Sequence, residues 1–359
     1  MRSYTALLPR LLLDASEELF PGYFALVMAT GVISIATELM GIPFVPSALL
    51  ALNWIAYGVL WLLTLLRITY FPSKFLADLS SHQRAPGFFT LVAGTCVLGA
   101  QSVVVADATD IGMVLWWLGI VLWILVMYAF FTAVTIREHK PSLAGGLNGA
   151  WLIAAVATQS IVVLRGTLDA ATTPPDVIQF LCLVMFMIGS MLYLAIIPII
   201  FYRLTFVRLA TRDFSPPYWI NMGAVAISTL AGALLLMRAE TWGVLGEFLP
   251  FLKGFTVLFW AVSTWWIPLL FTLMVWRYWV RHDAISYEPQ LWGMVFPLGM
   301  YTTSTYQLAR GLHMPFLNTI PPVFIILALI AWIGAFCGLA LRIARSILLA
   351  RELAHKSAA

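Results

Sequence analysis

Charge is what this sequence has least of. Only 10% of its 359 residues are Asp, Glu, Lys or Arg and 62% are hydrophobic, whereas soluble domains carry about 25% charged and about 45–50% apolar residues. A soluble globule is excluded, and with it the secreted enzymes, nucleic-acid binders and disordered chains that need a solvated surface. The three cysteines, Cys96, Cys182 and Cys337, fall singly inside apolar runs, giving neither a disulfide framework nor a metal site. The five histidines, His82, His139, His282, His313 and His355, all lie in predicted loops or the tail, which argues against haem ligated within a bundle. No apolar run has an acidic or basic residue near its centre. Proton- and sodium-driven carriers commonly hold such a group, and a serine or cysteine nucleophile needs one as its base. A His-Glu-x-x-His helix is missing too. The chain therefore reads as no enzyme, with no cofactor and no metal.

What is there is apolar length. Ten apolar runs, charged only at Glu38 and Lys253 near their ends, stand at 20–39, 46–66, 86–105, 111–135, 147–164, 177–201, 217–236, 248–276, 290–309 and 318–341, near the roughly 20 residues that cross a bilayer as helix. Turn chemistry such as Gly41-Ile42-Pro43, Pro174-Pro175 and Pro321-Pro322 separates them. Residues 1–19 lack an apolar core followed by a small-residue cleavage site, so they read as a cytoplasmic interfacial segment and not a signal peptide. The domain of ten helices then occupies 20–345, with a cytoplasmic tail over 346–359. With both termini cytoplasmic, 16 of the 20 basic residues fall inside. Only Arg165, Arg238, Lys253 and Arg310 fall outside, as the positive-inside rule requires of a multi-pass protein of the inner cell membrane.

The odd-numbered spans repeat. They begin Pro21-Gly22-Tyr23-Phe24, Pro86-Gly87-Phe88-Phe89, Asn148-Gly149-Ala150-Trp151, Pro216-Pro217-Tyr218-Trp219 and Pro289-Gln290-Leu291-Trp292. The aromatic anchors Tyr23, Phe88, Trp151, Trp219 and Trp292 are 65, 63, 68 and 73 residues apart, one helical hairpin each time. The expected fold is an all-α membrane protein, ten transmembrane helices as five tandem hairpins, with the odd helices parallel around a central pore. Seven residues beyond the anchors stand Thr30, Thr95, Thr158, Ala226 and Gly299. A ring of such small, partly hydroxylated residues suits a pore lining, and equally suits close helix packing. Four beyond the anchors stand Val27, Val92, Ala155, Gly223 and Phe296, where one phenylalanine could fill a lumen alone. Pro297 beside it removes a backbone donor. The other reading of Phe296 is one more packed aromatic.

Five parallel helices present five positive dipole ends at the cytoplasmic mouth, which favours anions. Charge agrees: 16 basic against nine acidic residues give +7 inside, and four against seven give −3 outside. The low charge content predicts a neutral path, because no charge is assigned to the middle of an odd helix.

The stretch Phe20-Pro21-Gly22-Tyr23-Phe24-Ala25-Leu26-Val27-Met28-Ala29-Thr30-Gly31 resembles the opening of the tellurite-resistance/C4-dicarboxylate transporter family, the slow-anion-channel-like transporters. Trp292-Gly293-Met294-Val295-Phe296-Pro297-Leu298-Gly299-Met300-Tyr301 resembles that family's ninth helix. The resemblance covers about residues 18 to 345 and implies five hairpins around a pore, a homotrimer with one pore per subunit, and a phenylalanine gate matched here by Phe296. The expected function is a channel or transporter passing small anions or malate-like C4-dicarboxylates, lined by Thr30, Thr95, Thr158 and Thr303 and gated by Phe296 and Pro297. The alternatives are a proton-coupled dicarboxylate symporter, an exporter of sulfite- or tellurite-type oxyanions, and a non-transporting membrane scaffold. Its partners are small anions and the lipid bilayer, with no nucleic acid.

Overall fold

A computed structural model of the protein describes residues 7–169, 174–239, 242–284 and 286–356. Arg2 and the last three residues of the expected tail lie outside these. Among the described residues there is helix and no strand. Helix α1 (Leu7–Glu17) precedes five hairpins. Their first helices are α2 (Ala25–Leu39), α4 (Phe89–Ala106), α6 (Ile153–Leu168), α8 (Ile220–Arg238) and α10 (Trp292–Gly311). Their second helices are α3 (Val45–Tyr70), α5 (Thr109–Ile136), α7 (Asp176–Phe206), α9 (Gly243–Val275) and α11 (Pro321–Lys356). The segment expected as a separate tail from 346 continues α11 as helix through Lys356.

The two sets occupy different layers. Helices α2, α4, α6, α8 and α10 pack each against the next, and α10 returns to α2, closing an inner ring. Nearly every residue of these five is buried, while the second helices keep large apolar side chains such as Ile55, Trp117, Phe180 and Ile330 exposed. With no apolar solvent contact available elsewhere, that exposed belt belongs against lipid tails. Nine helices among the described residues are long and apolar enough to cross a membrane. The exception in the inner ring is α10, whose Thr302-Thr303-Ser304-Thr305 run and Gln307 make it more polar than its neighbours.

Every inner helix is entered through a tight 3-10 turn: Pro21–Phe24, Ala85–Phe88, Gly149–Leu152, Pro216–Trp219 and Pro289–Leu291. Proline suits these starts because its missing N–H would have no helical partner there. The third turn lacks proline, and the Asn148 side chain instead accepts from the Ala150 N–H at 2.8 Å. The five turns touch in order and the fifth meets the first, a second closed ring at one end of the bundle. The backbones meet directly there. A Cβ on Gly87 would lie 2.6 Å from the Gly22 nitrogen, and one on Gly149 would lie 2.2 Å from the Pro217 oxygen.

Candidate functional site

The axis of the inner ring holds a cavity of about 340 Å³, to which all five inner helices contribute: Ile35 of α2, Ala100 of α4, Gly166 of α6, Leu234 of α8 and Thr303 of α10. It occupies the C-terminal half of these helices and opens at their C-terminal end. On α10 the lining side chains are Met300, Thr303, Gln307 and Arg310, a three- and four-residue stepping that marks one helix face. One further step of four toward the N-terminus reaches Phe296, which is 1% exposed. The same step back from Val32 of α2 and Val97 of α4 reaches Met28 and Ala93. Neither Val27 nor Val92 lines the cavity. The Val27 carbonyl faces the second layer, where the Asn53 side chain of α3 donates to it at 3.0 Å.

The expected hydroxyl layer also lies elsewhere. The Thr30 oxygen accepts from the Trp332 indole N–H of α11 at 3.0 Å. Thr95 is 2.9 Å from the Tyr57 hydroxyl of α3, and Thr158 accepts from the Trp123 indole of α5 at 2.8 Å. Thr95 and Thr158 donate their own protons to the carbonyls of Leu91 and Ala154, four residues back. These hydroxyls are therefore engaged in the joint between the two layers. Anchor spacing alone carried no information about which side of the helix faces the axis.

The joint follows one rule: the second helix of each hairpin reaches the first helix of the next. Trp260 of α9 donates to Thr305 of α10 at 3.0 Å. Where the fourth repeat has Ala226 and no hydroxyl, Tyr193 of α7 donates to the Asn221 carbonyl of α8 at 3.3 Å. Ala155, Ala226 and Val92 are wholly buried. Gly223 and Gly299 are close-approach points: an added Cβ would meet the Pro297 ring at 2.7 Å and Val32 at 2.8 Å respectively. Of the expected lining residues, the cavity takes Thr303. Pro297 packs against α8, and so holds the Phe296 segment of α10 by its contact with Gly223.

A second repeated device involves arginines that sequence reading treated only as topology signals. In the first four hairpins the second helix ends near an arginine that binds backbone carbonyls just before that hairpin's first helix. Arg67 donates to Ser16 O at 3.0 Å and to Glu17 O, and pairs with Asp78 at 2.6 Å. Arg137 donates to Ser80 O. Arg203 donates to Ala144 O at 2.7 Å, to Leu147 O and to the Tyr218 hydroxyl. Arg277 donates to Phe214 O at 2.5 Å and pairs with Asp283 at 2.7 Å. A cation at a helix C-terminus is also favoured by the dipole. These four guanidiniums serve the hairpins, so the +7 inner balance overstates the charge free to attract an anion. The signal that could have found them is the recurrence of one arginine at the end of each even-numbered span. His82, in the loop before α4, has its pKa held below the ordinary value by burial and by Arg137 and Lys140.

The opposite end of the ring corrects the neutral-path expectation. Arg165, Arg238 and Arg310 stand in the last turns of α6, α8 and α10, so basic residues do lie in the inner helices. Arg165 pairs with Asp169 at 2.8 Å, while Arg238 and Arg310 line the cavity. Among the described residues no group of three His, Cys, Asp or Glu comes together that could hold a metal ion.

The inner helices thus form a ring of parallel helices around an axial cavity. The sequence profile of the voltage-dependent anion channel family matches residues 18–340. The chain belongs to that family. It is 35% identical over 157 residues to an uncharacterized membrane protein of Mycobacterium tuberculosis, covering 44% of this chain and 79% of that one. An uncharacterized transporter of Methanocaldococcus jannaschii is 25% identical over 308 residues, 82% of this chain and 84% of its own. The sulfite efflux pump of Trichophyton rubrum is 25% identical over 346 residues, 90% of each chain. The protein is thus a multi-pass membrane anion channel or transporter, in a family of channels and transporters and not of enzymes.

Proposed function

We propose that small anions move along the axis of the inner ring and that the Phe296 ring closes the path. The observation that carries this reading is the position of Phe296, buried one helical turn from a cavity lined by all five inner helices. The lining above it is mostly apolar with one end basic, so an ion is held weakly and can leave, which throughput requires. Opening consists of the Phe296 ring turning aside, with Pro297 as the local weak point in the α10 ladder. In this reading α10 counts as a tenth span despite its polarity, because it faces its neighbours and the axis and not lipid. Both termini are cytoplasmic, the subunits form a trimer in the cell membrane, and no catalytic step is involved.

For the substrate, the similarity to a sulfite efflux pump favours a small inorganic oxyanion such as sulfite over a C4-dicarboxylate. The test is flux into proteoliposomes with chloride, nitrate, sulfite, malate and succinate, with and without a pH gradient. Sulfite or nitrate flux without proton movement is the expected result. Malate flux that acidifies the lumen would establish the symporter instead, and absence of flux for all five would leave a scaffold.

A further inference from the structure

We infer that Arg238 and Arg310 form an oxyanion-binding vestibule at the C-terminal mouth of the inner ring. This rests on the reading of the axis as an anion path. Five parallel helices end at this mouth, each with a partial charge of about −0.5 from its unpaired carbonyls. Left alone, that end would repel the ion the path is meant to carry. The same end also carries the acids Glu38, Asp107 and Asp169. What decides the local field is direction: none of the three acids lines the cavity, whereas both arginines do. Arg310 is exposed in the opening. Arg238 is half-buried, lies in the field of the Asp169 carboxylate and lines the cavity.

The polar groups beside them suit an oxyanion. Thr167, Thr303 and Gln307 line the same cavity, and the Gln307 side-chain oxygen is buried without a hydrogen-bond partner. Amide oxygen and nitrogen are interchangeable by rotation about the side chain, so Gln307 can turn its N–H₂ toward an anion. A guanidinium offers a planar fork matched to two oxygens of a trigonal or carboxylate-like group. A volume of 340 Å³ is roughly ten times the share of one water in the liquid, enough for an oxyanion with part of its hydration shell. The ion therefore rests in a pre-charged chamber above Phe296, and the ligand class is a small oxyanion with at least two oxygens on one face.

The test reads binding and flux separately. Purified protein is titrated with sulfite, nitrate and chloride, following the thermal midpoint and tryptophan fluorescence, for the wild type, Arg238→Gln, Arg310→Gln and Arg310→Lys. Sulfite flux in proteoliposomes is measured against concentration on each face. Loss of one charge-assisted contact should raise the half-saturating sulfite concentration about tenfold in each Gln variant, with partial recovery in Arg310→Lys and a smaller change for chloride. Unchanged half-saturation in both Gln variants, or no sulfite binding by the wild type, overturns the vestibule. Arginine-dependent binding by a protein that passes no anion supports the vestibule and removes the transport reading; flux with arginine-independent binding does the reverse. Arg310 is exposed, so Arg310→Gln still decides the matter if Arg238→Gln fails to fold.

Discussion

Replacing Phe296 with alanine tests the closure of the axis most directly. The ring is 1% exposed, so nearly all of its packing belongs to the closed arrangement. Truncating a buried phenylalanine in a packed interior costs about 3–5 kcal/mol. If all of that is lost when the ring turns aside in the wild type, deleting it moves the open-to-closed ratio by about two to three and a half orders of magnitude, at about 1.4 kcal/mol per decade. If half of the packing survives opening, the shift is still above about tenfold. The assay is sulfite or chloride flux into proteoliposomes at matched protein density, with single-channel recording in planar bilayers for any conducting variant. Phe296→Leu should fall between wild type and alanine. An alanine variant that elutes as the wild type does, melts as a folded protein and passes anions at the wild-type rate would refute the assignment of Phe296 as the closure.

Four further outcomes follow from the geometry. Thr158→Val leaves the Trp123 N–H without its 2.8 Å acceptor and should lower stability by about 1 kcal/mol in thermal unfolding, with anion selectivity unchanged; altered selectivity would return Thr158 to the axis. Gly223→Ala puts a Cβ 2.7 Å from the Pro297 ring and should cost about 1–3 kcal/mol by overpacking, raising flux if α10 is the part displaced. Arg203→Gln loses contacts to Ala144, Leu147 and Tyr218 and should increase amide hydrogen exchange over residues 143–149 with a fall in thermal midpoint. Because the His82 pKa is held below its ordinary 6.5, the folded protein takes up this proton less readily than the unfolded chain, so stability should fall as pH drops below 6.5. His82→Asn should flatten that part of the midpoint-against-pH curve.

The layered architecture was legible from Tyr23, Phe88, Trp151, Trp219 and Trp292, because a hairpin repeat leaves its period in the chain and a proline or glycine at each helix start. Which face of each helix meets the axis was not, since all inner-helix faces are buried and hydropathy is nearly equal around them. Thr30, Thr95 and Thr158 illustrate the consequence: a hydroxyl suits a pore and suits an indole N–H from a neighbouring helix equally well. Phe296 could be singled out because it alone breaks the size pattern of its layer. Arg238 and Arg310 were visible as residues but assigned to loops, because an apolar-run criterion stops a helix at the first charge. The helical ladder continues through that charge when the side chain has a cavity to enter.

The hydrogen bond from Trp332 to Thr30 joins residues 302 positions apart. Every other link of this kind connects a hairpin to the one synthesised immediately after it, but this one connects the last to the first. During biogenesis the bundle therefore grows as an open arc in which the flank of α2 that meets α10 and α11 waits uncovered until α11 has been translated. Such a long wait exposes the polar Thr30 flank to the insertion machinery and to other nascent chains, and it makes closure the slow, non-local event of folding. It also means that the seam falls where it does through the order of the hairpins along the chain. A circular permutant opened between hairpins and joined from 356 to 7 should close the same circle, with its waiting edge moved to another repeat.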